Sequence, residues 1–392
     1  MMIEEGNVTL DPQRQDRARA YARMRRRLML VNLLLGSGYL LLWLLLDWAP
    51  QLRIALTPTV DGGILPFQPH WGLQLLLFTL ALSLPWSLID LPLSFYSGFI
   101  LPHRFELSNQ SLSSWITDQL KGALLAAIIG TPLLIGMFAL LRGAPESWWF
   151  WGAAGYSLFG ILLTALAPLI LMPIFYRFQP LGDEYAELEA RLLRLSKQAG
   201  TYVRGVYTFD MSRRTRAANA ALAGLGRSRR IILGDTLLEN FSEDEIETVL
   251  AHELAHHLHR DIPLGIAIQV PLTFLIFYLM HLLLNWAVIG LGLRAISDPA
   301  SLPLLALVFS ALGLITMPLF NAWGRWRERM ADDYALEKTR KPEAFVSAMT
   351  RLANQNLADV DPEAWVVFLL HSHPPLRQRI ERAQSWLEAQ PA

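Results

Sequence analysis

Ser242-Glu-Asp-Glu-Ile-Glu-Thr-Val-Leu-Ala-His252-Glu-Leu-Ala-His256 is followed, from 262 to 293, by a run that holds no Asp, Glu, Lys or Arg. Ser242 with Glu245 three residues on is a capping box, and Phe241 before it can staple to Ile246. Glu243, Asp244 and Glu245 put negative charge at the positive end of the helix dipole. Ile246, Val249, Leu250 and Leu254 then form an apolar stripe, so the pattern predicts a helix from 242 to about 260. On that helix His252 and His256, four apart, share one face and can reach one metal ion. Glu253 lies next to the open side of such a site, where a general base is needed. Two surface histidines on an ordinary helix are the bland alternative. The cap and the stripe favour the metal, because they put the motif on a helix as its chemistry requires.

Hydrophobic residues make up 53% of the 392-residue chain and charged ones 17%, a membrane composition. Cysteine is absent, which excludes disulfides and thiolate metal sites, and the zero formal net charge argues against nucleic acid as a partner. Uncharged stretches cover 28–46, 71–89, 122–141, 147–176, 262–293 and 299–324. A bilayer core takes roughly 20 apolar residues, so the sequence predicts six spans. Pro85, Pro132, Pro168 and Pro271 are expected to kink these helices or mark their ends, and Trp148, Trp149, Trp151, Trp323 and Trp326 to sit at interfaces.

Arg14, Arg17, Arg19, Arg23, Arg25, Arg26 and Arg27 precede the first span and predict a cytoplasmic N-terminus, an uncleaved anchor rather than a signal peptide. Five regions follow: a basic N-terminus (1–27), four spans with their loops (28–176), a cytoplasmic segment (177–261), a membrane hairpin (262–324) and a second cytoplasmic segment (325–392). Within 177–261 the spacing predicts a helix over 183–199, a strand over 202–209 and a β-hairpin from 217–223 to 229–233 around Gly224-Leu225-Gly226. The fold class is therefore mainly α: a multi-span helical membrane protein with a cytoplasmic zincin-like α+β part and a small sheet.

A catalytic zinc site uses three protein ligands, so a third must come from elsewhere. Glu328, in Asn321-Ala-Trp-Gly-Arg325-Trp-Arg-Glu328-Arg-Met-Ala331-Asp332, is the candidate, with Asp332 on the same helical face. One carboxylate can bind metal while the other orients a ligand imidazole; a charged amphipathic helix outside the membrane is the equal alternative. Topology allows the meeting, since 262–324 fits two crossings and returns the chain to the face it left. His103, His257 and His259 read as interfacial or surface residues; His281, inside the fifth span, is either a functional residue, as an ionisable group at that depth is by default, or one that hydrogen-bonds across helices. His371 and His373 precede Pro374-Pro375, and a histidine near the metal can stabilise an oxyanion.

At these residues the chain resembles the type I CAAX prenyl proteases, integral-membrane zinc endopeptidases of gluzincin type. The likeness runs through Leu91-Pro-Leu-Ser-Phe-Tyr96, Asp118-Gln-Leu-Lys121, Asn219-Ala220, Arg230-Ile-Ile-Leu-Gly-Asp-Thr-Leu-Leu238, HExxH, the run from Asn321 to Asp332, and His373-Pro-Pro-Leu-Arg-Gln-Arg379-Ile380. The resemblance implies one Zn²⁺ held by His252, His256 and Glu328, with Glu253 as general base and acid and Asp332 behind a ligand. It further implies that Asn219 lies where an edge strand pairs with substrate backbone, and that His373 and Arg379 lie near the scissile carbonyl. A ring of membrane helices around a chamber is expected. Relatives of this type have seven spans against the six read here. The short loops suggest a bacterial member in the inner membrane, with the active site facing the cytoplasm.

The expected function is zinc-dependent hydrolysis of peptide bonds in membrane-associated or CAAX-type proteins. The partners expected are a protein or peptide substrate and the bilayer. The rival readings are a heat-shock-type quality-control protease and a non-catalytic zinc-binding scaffold or chaperone.

Overall fold

The computed structural model describes residues 8–224, 226 and 229–389; Leu225 of the expected hairpin turn and the ends of the two terminal regions lie outside them. The chain opens with α1 (Pro12–Leu45) and the short α2 (Trp48–Ala55). Next come α3 (Trp71–Phe95), continued by one π-helical turn into α4 (Leu101–Arg104), then α5 (Leu112–Gly143) and α6 (Trp148–Leu166), continued likewise into α7 (Met172–Phe175). Pro168 sits in that second π turn, while Pro85, Pro132 and Pro271 lie inside unbroken helices.

The extramembrane part follows: β1 (Phe178–Pro180), α8 (Ala186–Gln198), β2 (Val206–Phe209), β3 (Ala220–Ala223), β4 (Arg230–Gly234), α9 (Asp235–Asn240) and α10 (Glu243–Leu258). The chain re-enters the apolar layer in α11 (Asp261–Gly290) and returns in α12 (Leu302–Thr339). It ends in α13 (Pro342–Gln355), α14 (Ala364–Leu370) and α15 (Leu376–Glu388).

Among the described residues six helical stretches are long and apolar enough to cross a membrane, matching the number read from sequence. Only 0% to 17% of each apolar window is buried, so these surfaces need lipid rather than water around them. The spans touch in the cyclic order α1, α3, α5, α6, α11, α12 and back to α1, which is the expected ring. Its two buried apolar clusters gather at one end. Leu75, Phe138, Leu141, Trp148, Met280 and Leu284 form one cluster there, and Trp43, Phe78, Ala287 and Leu304 another. Each lies at the end of its helix remote from the HExxH motif.

The sheet has the order β1-β2-β4-β3. The predicted hairpin is present as the antiparallel β3–β4 pair, while β2 runs parallel to β4 and β1 antiparallel to β2. One face of this sheet shares a core with α8, α10, α12, α13 and α15, through Leu188, Leu192, Ile231, Leu233, Ile246, Leu250, Leu254, Leu336 and Phe345. Burying a branched aliphatic or aromatic side chain of this kind contributes about 1.5–3 kcal/mol, which anchors α10 between the sheet and α12. The cap on α10 forms as the sequence predicts: Ser242 Oγ accepts from Glu245 N–H, and Glu245 accepts in return from Ser242 N–H at 2.7 Å. A residue at positive φ, Arg260, turns the chain directly from α10 into α11.

Candidate active site

Helix α10 brings His252 and His256 onto one face, and α12 crosses it with Glu328. The two Nε2 atoms lie 3.3 Å apart. Glu328 Oε2 is 3.2 Å from His252 Nε2, and Oε1 is 3.4 Å from His256 Nε2. Tetrahedral coordination with bonds of about 2.0–2.1 Å needs ligand atoms about 3.3 Å apart. The two Nε2 atoms meet that spacing, and one ligand atom from each of the three residues lies within 4.8 Å of the others, a donor set that suits such a metal. Glu328 Oε2 is also buried without a hydrogen-bond partner, which a metal ion would remedy.

What aims the imidazoles is on their other nitrogens. His252 Nδ1 lies 2.8 Å from Asp332 Oδ1, and Arg379 Nε and Nη2 donate to the same carboxylate at 2.9 and 2.6 Å. His256 Nδ1 lies 2.7 Å from Asp261 Oδ2, whose other oxygen accepts from Arg327 Nε at 2.6 Å. Each ring therefore donates from Nδ1 to a carboxylate, leaving the Nε2 lone pair for a metal. Arg327 also donates to His259 C=O at 2.9 Å, which pins the turn between α10 and α11.

Burial opposes charge on His252, but the Asp332 and Glu328 carboxylates beside it outweigh that and hold the pKa up at about 9. His256 is likewise raised: burial pulls it down, and Glu328 and Asp261 more than compensate. A cluster that draws protons onto both rings is one that favours a cation at its centre. Burial pushes the Glu253 carboxyl above its ordinary value, against the pull of the neighbouring imidazoles, which suits a general base.

His373 is exposed, with Nε2 3.2 Å from Glu328 Oε1. Its loop is held by α12: Asn321 Nδ2 donates to Leu369 C=O at 2.7 Å, and Arg325 Nη1 donates to Val367 C=O and His371 C=O at 2.8 and 2.6 Å. Among the expected substrate contacts, Asn219 is exposed just before β3, but its C=O already accepts from Gly234 N–H at 2.9 Å. Arg379, expected near the scissile carbonyl, is buried and paired with Asp332.

Two residues escaped sequence reasoning. Asp261 stands five residues after His256 and read only as the lead-in to a span; a carboxylate at that charge boundary was the available signal. His257, expected on the surface, is half-buried with Nε2 3.3 Å from Leu222 C=O. His281 accepts from Trp148 Nε1 at 3.1 Å, the interhelical hydrogen bond expected of it.

Six spans, with a cation site of two imidazoles and a carboxylate beside them, define a membrane-embedded metalloprotease. The description Peptidase family M48 matches residues 183–387, and CAAX prenyl protease N-terminal, five membrane helices, matches residues 5–177. The chain belongs to peptidase family M48, and it is a metalloendopeptidase. Among the described residues of 5–177 there are four helices of spanning length, with the short α2 between the first two. It is 32% identical to an uncharacterized metalloprotease, YhfN, of Bacillus subtilis, over 81% of this chain and 74% of that one. It is 27% identical to CAAX prenyl protease 1 of Saccharomyces cerevisiae, over 95% and 86%. The crystal structure of S. mikatae Ste24p superposes with a TM-score of 0.84 at 25% identity, covering 97% of this chain and 91% of that one.

Proposed function

We propose that this chain is a zinc endopeptidase that cleaves membrane-associated proteins, CAAX-type substrates among them, at the cytoplasmic face of a bacterial plasma membrane. The observation that carries the reading is the convergence of His252, His256 and Glu328, whose ligand atoms, one from each residue, all lie within 4.8 Å of one another. His252, His256 and Glu328 would hold the ion, one per chain. Zinc, when bound, supplies a Lewis acid that activates water and polarises a peptide carbonyl. Glu253 takes the proton from the attacking water and delivers it to the departing amine. His373, exposed beside Glu328, donates to the oxyanion that develops on the carbonyl. Arg379 acts through Asp332, holding the carboxylate that fixes the His252 tautomer. The outer edge of β3, with the Asn219 carboxamide just ahead of it, takes the substrate backbone as an added strand. The arginines ahead of α1 support a cytoplasmic orientation. The printed name of the yeast relative supports CAAX-type substrates.

The test is Glu253→Gln in the purified full chain. It keeps a full complement of zinc by elemental analysis and loses peptide cleavage by about 10²–10⁴-fold. Undiminished cleavage by that variant rejects the mechanism. Proteins trapped on it and identified by mass spectrometry report the substrate class.

A further inference from the structure

Which backbone groups β3 offers an incoming chain follows from its ladder. Gly234 N–H donates to Asn219 C=O at 2.9 Å, whereas Ile231 N–H points the other way, to Gly205 C=O at 3.2 Å. With the β3–β4 register, Asn219, Ala221 and Ala223 bond toward β4. Ala218, Ala220 and Leu222 therefore turn their N–H and C=O groups toward the free edge.

Part of that edge is already taken. The carboxamide of Asn356, at the end of α13, accepts from Ala218 N–H at 2.9 Å and donates to Ala218 C=O at 3.3 Å. At the other end His257 brings Nε2 to 3.3 Å from Leu222 C=O. His257 is also the residue after His256, so this contact ties the strand edge to the metal-binding helix. What is left facing outward is Ala220 N–H and C=O and the N–H of Leu222.

We infer that Asn356 and His257 bracket the edge of β3, so that a substrate backbone finds one free acceptor there, Ala220 C=O, and donates to it through a single amide in a register that His257 fixes relative to the metal. The inference rests on the reading that substrate adds to β3. It makes His257 and Asn356 positioning residues. The protease then needs only a short extended segment around the scissile bond, and no long strand match.

The test uses the purified, zinc-loaded full chain and a cleavable peptide carrying one N-methyl amide, moved residue by residue with the scissile amide left unmodified. In the wild type one amide is sensitive, losing about 3- to 10-fold in kcat/KM, the worth of a backbone hydrogen bond. Amides two residues to either side tolerate methylation. His257→Ala frees Leu222 C=O and makes a second amide sensitive, two residues along, with zinc content unchanged; His257→Gln, which keeps a donor, restores the wild-type pattern. Sensitivity at several amides spaced by two in the wild type overturns the bracket while leaving strand addition standing. An unchanged pattern in His257→Ala removes His257 from it. No sensitive amide at all overturns strand addition itself, and the bracket with it.

Discussion

Asp261 Oδ2 lies 2.7 Å from His256 Nδ1, and Asp261 is the first residue of the span that leaves the metal helix. Arg327, on the returning span α12, donates to the other oxygen of the same carboxylate. The second imidazole is thus aimed by a pair of residues from both arms of the membrane hairpin. Asp261→Asn replaces a carboxylate acceptor by a group that can also donate, so the Nδ1–H tautomer loses its support. Metal affinity should fall about 10- to 100-fold, read by competition with a chromogenic chelator. Wild-type affinity in that variant would mean that Asp261 only braces the turn.

Metal binding should release protons. Burial opposes charge on His252, but the Asp332 and Glu328 carboxylates raise it from its ordinary 6.5 to about 9, so at pH 7 a proton competes with a metal ion for the ring. His256 is raised as well. A raised pKa means that the competing proton is held more strongly as pH falls. Apparent affinity therefore climbs with pH, about tenfold per unit for each proton displaced, and levels off above the His252 pKa. Calorimetry at pH 7 in buffers of different ionisation heat should register at least one proton released. A buffer-independent heat would contradict this.

The parts of this site legible in the sequence are those governed by local periodicity. The cap at Ser242, the i, i+4 histidines and the carboxylates Glu328 and Asp332 on one helical face all follow from helix geometry. The six spans follow from length and charge. What was not legible depends on chain meetings. A three-residue strand such as β1 leaves no period to detect, and the parallel β2–β4 pairing needs α10 and α12 in place behind it. His257 lies off the metal face, and only the arrival of β3 gives it a partner. Arg379 carries its charge in the sequence, but its burial against Asp332 requires α15 to dock on α12.

At the end of the ring remote from the metal, Arg53 and Asp298 form a buried ion pair between the α2 region and the turn before α12. Asp298 also accepts from Arg294 N–H at 2.9 Å and Ala300 N–H at 3.0 Å, so one carboxylate gathers the whole connection. Asp298→Ala leaves a buried guanidinium unpaired, at a cost of about 3–5 kcal/mol. The melting temperature in detergent should drop clearly, while metal affinity measured well below it stays near the wild-type value. A melting temperature within error of the wild type would show the pair to be dispensable.

Gly324 is where α12 touches the loop that carries His373. A Cβ placed there would lie 2.9 Å from Ser372 C=O, closer than such atoms approach. The loop cannot simply retreat, because Arg325 holds His371 C=O and Asn321 holds Leu369 C=O. Gly324→Ala is favourable for the helix itself by about 0.8–1.0 kcal/mol, so α12 should keep its fold and Glu328 its ligand position. The strain then falls on the loop, and His373 moves relative to Glu328 Oε1, now 3.2 Å away. A misplacement of this kind should lower kcat by about 10- to 100-fold with metal content and melting temperature preserved. His373→Ala made on top of Gly324→Ala should then cost little more, since both changes remove the same contact. If Gly324→Ala turns over at the wild-type rate, the loop has room that the contact distance denies, and His373 is not positioned by α12.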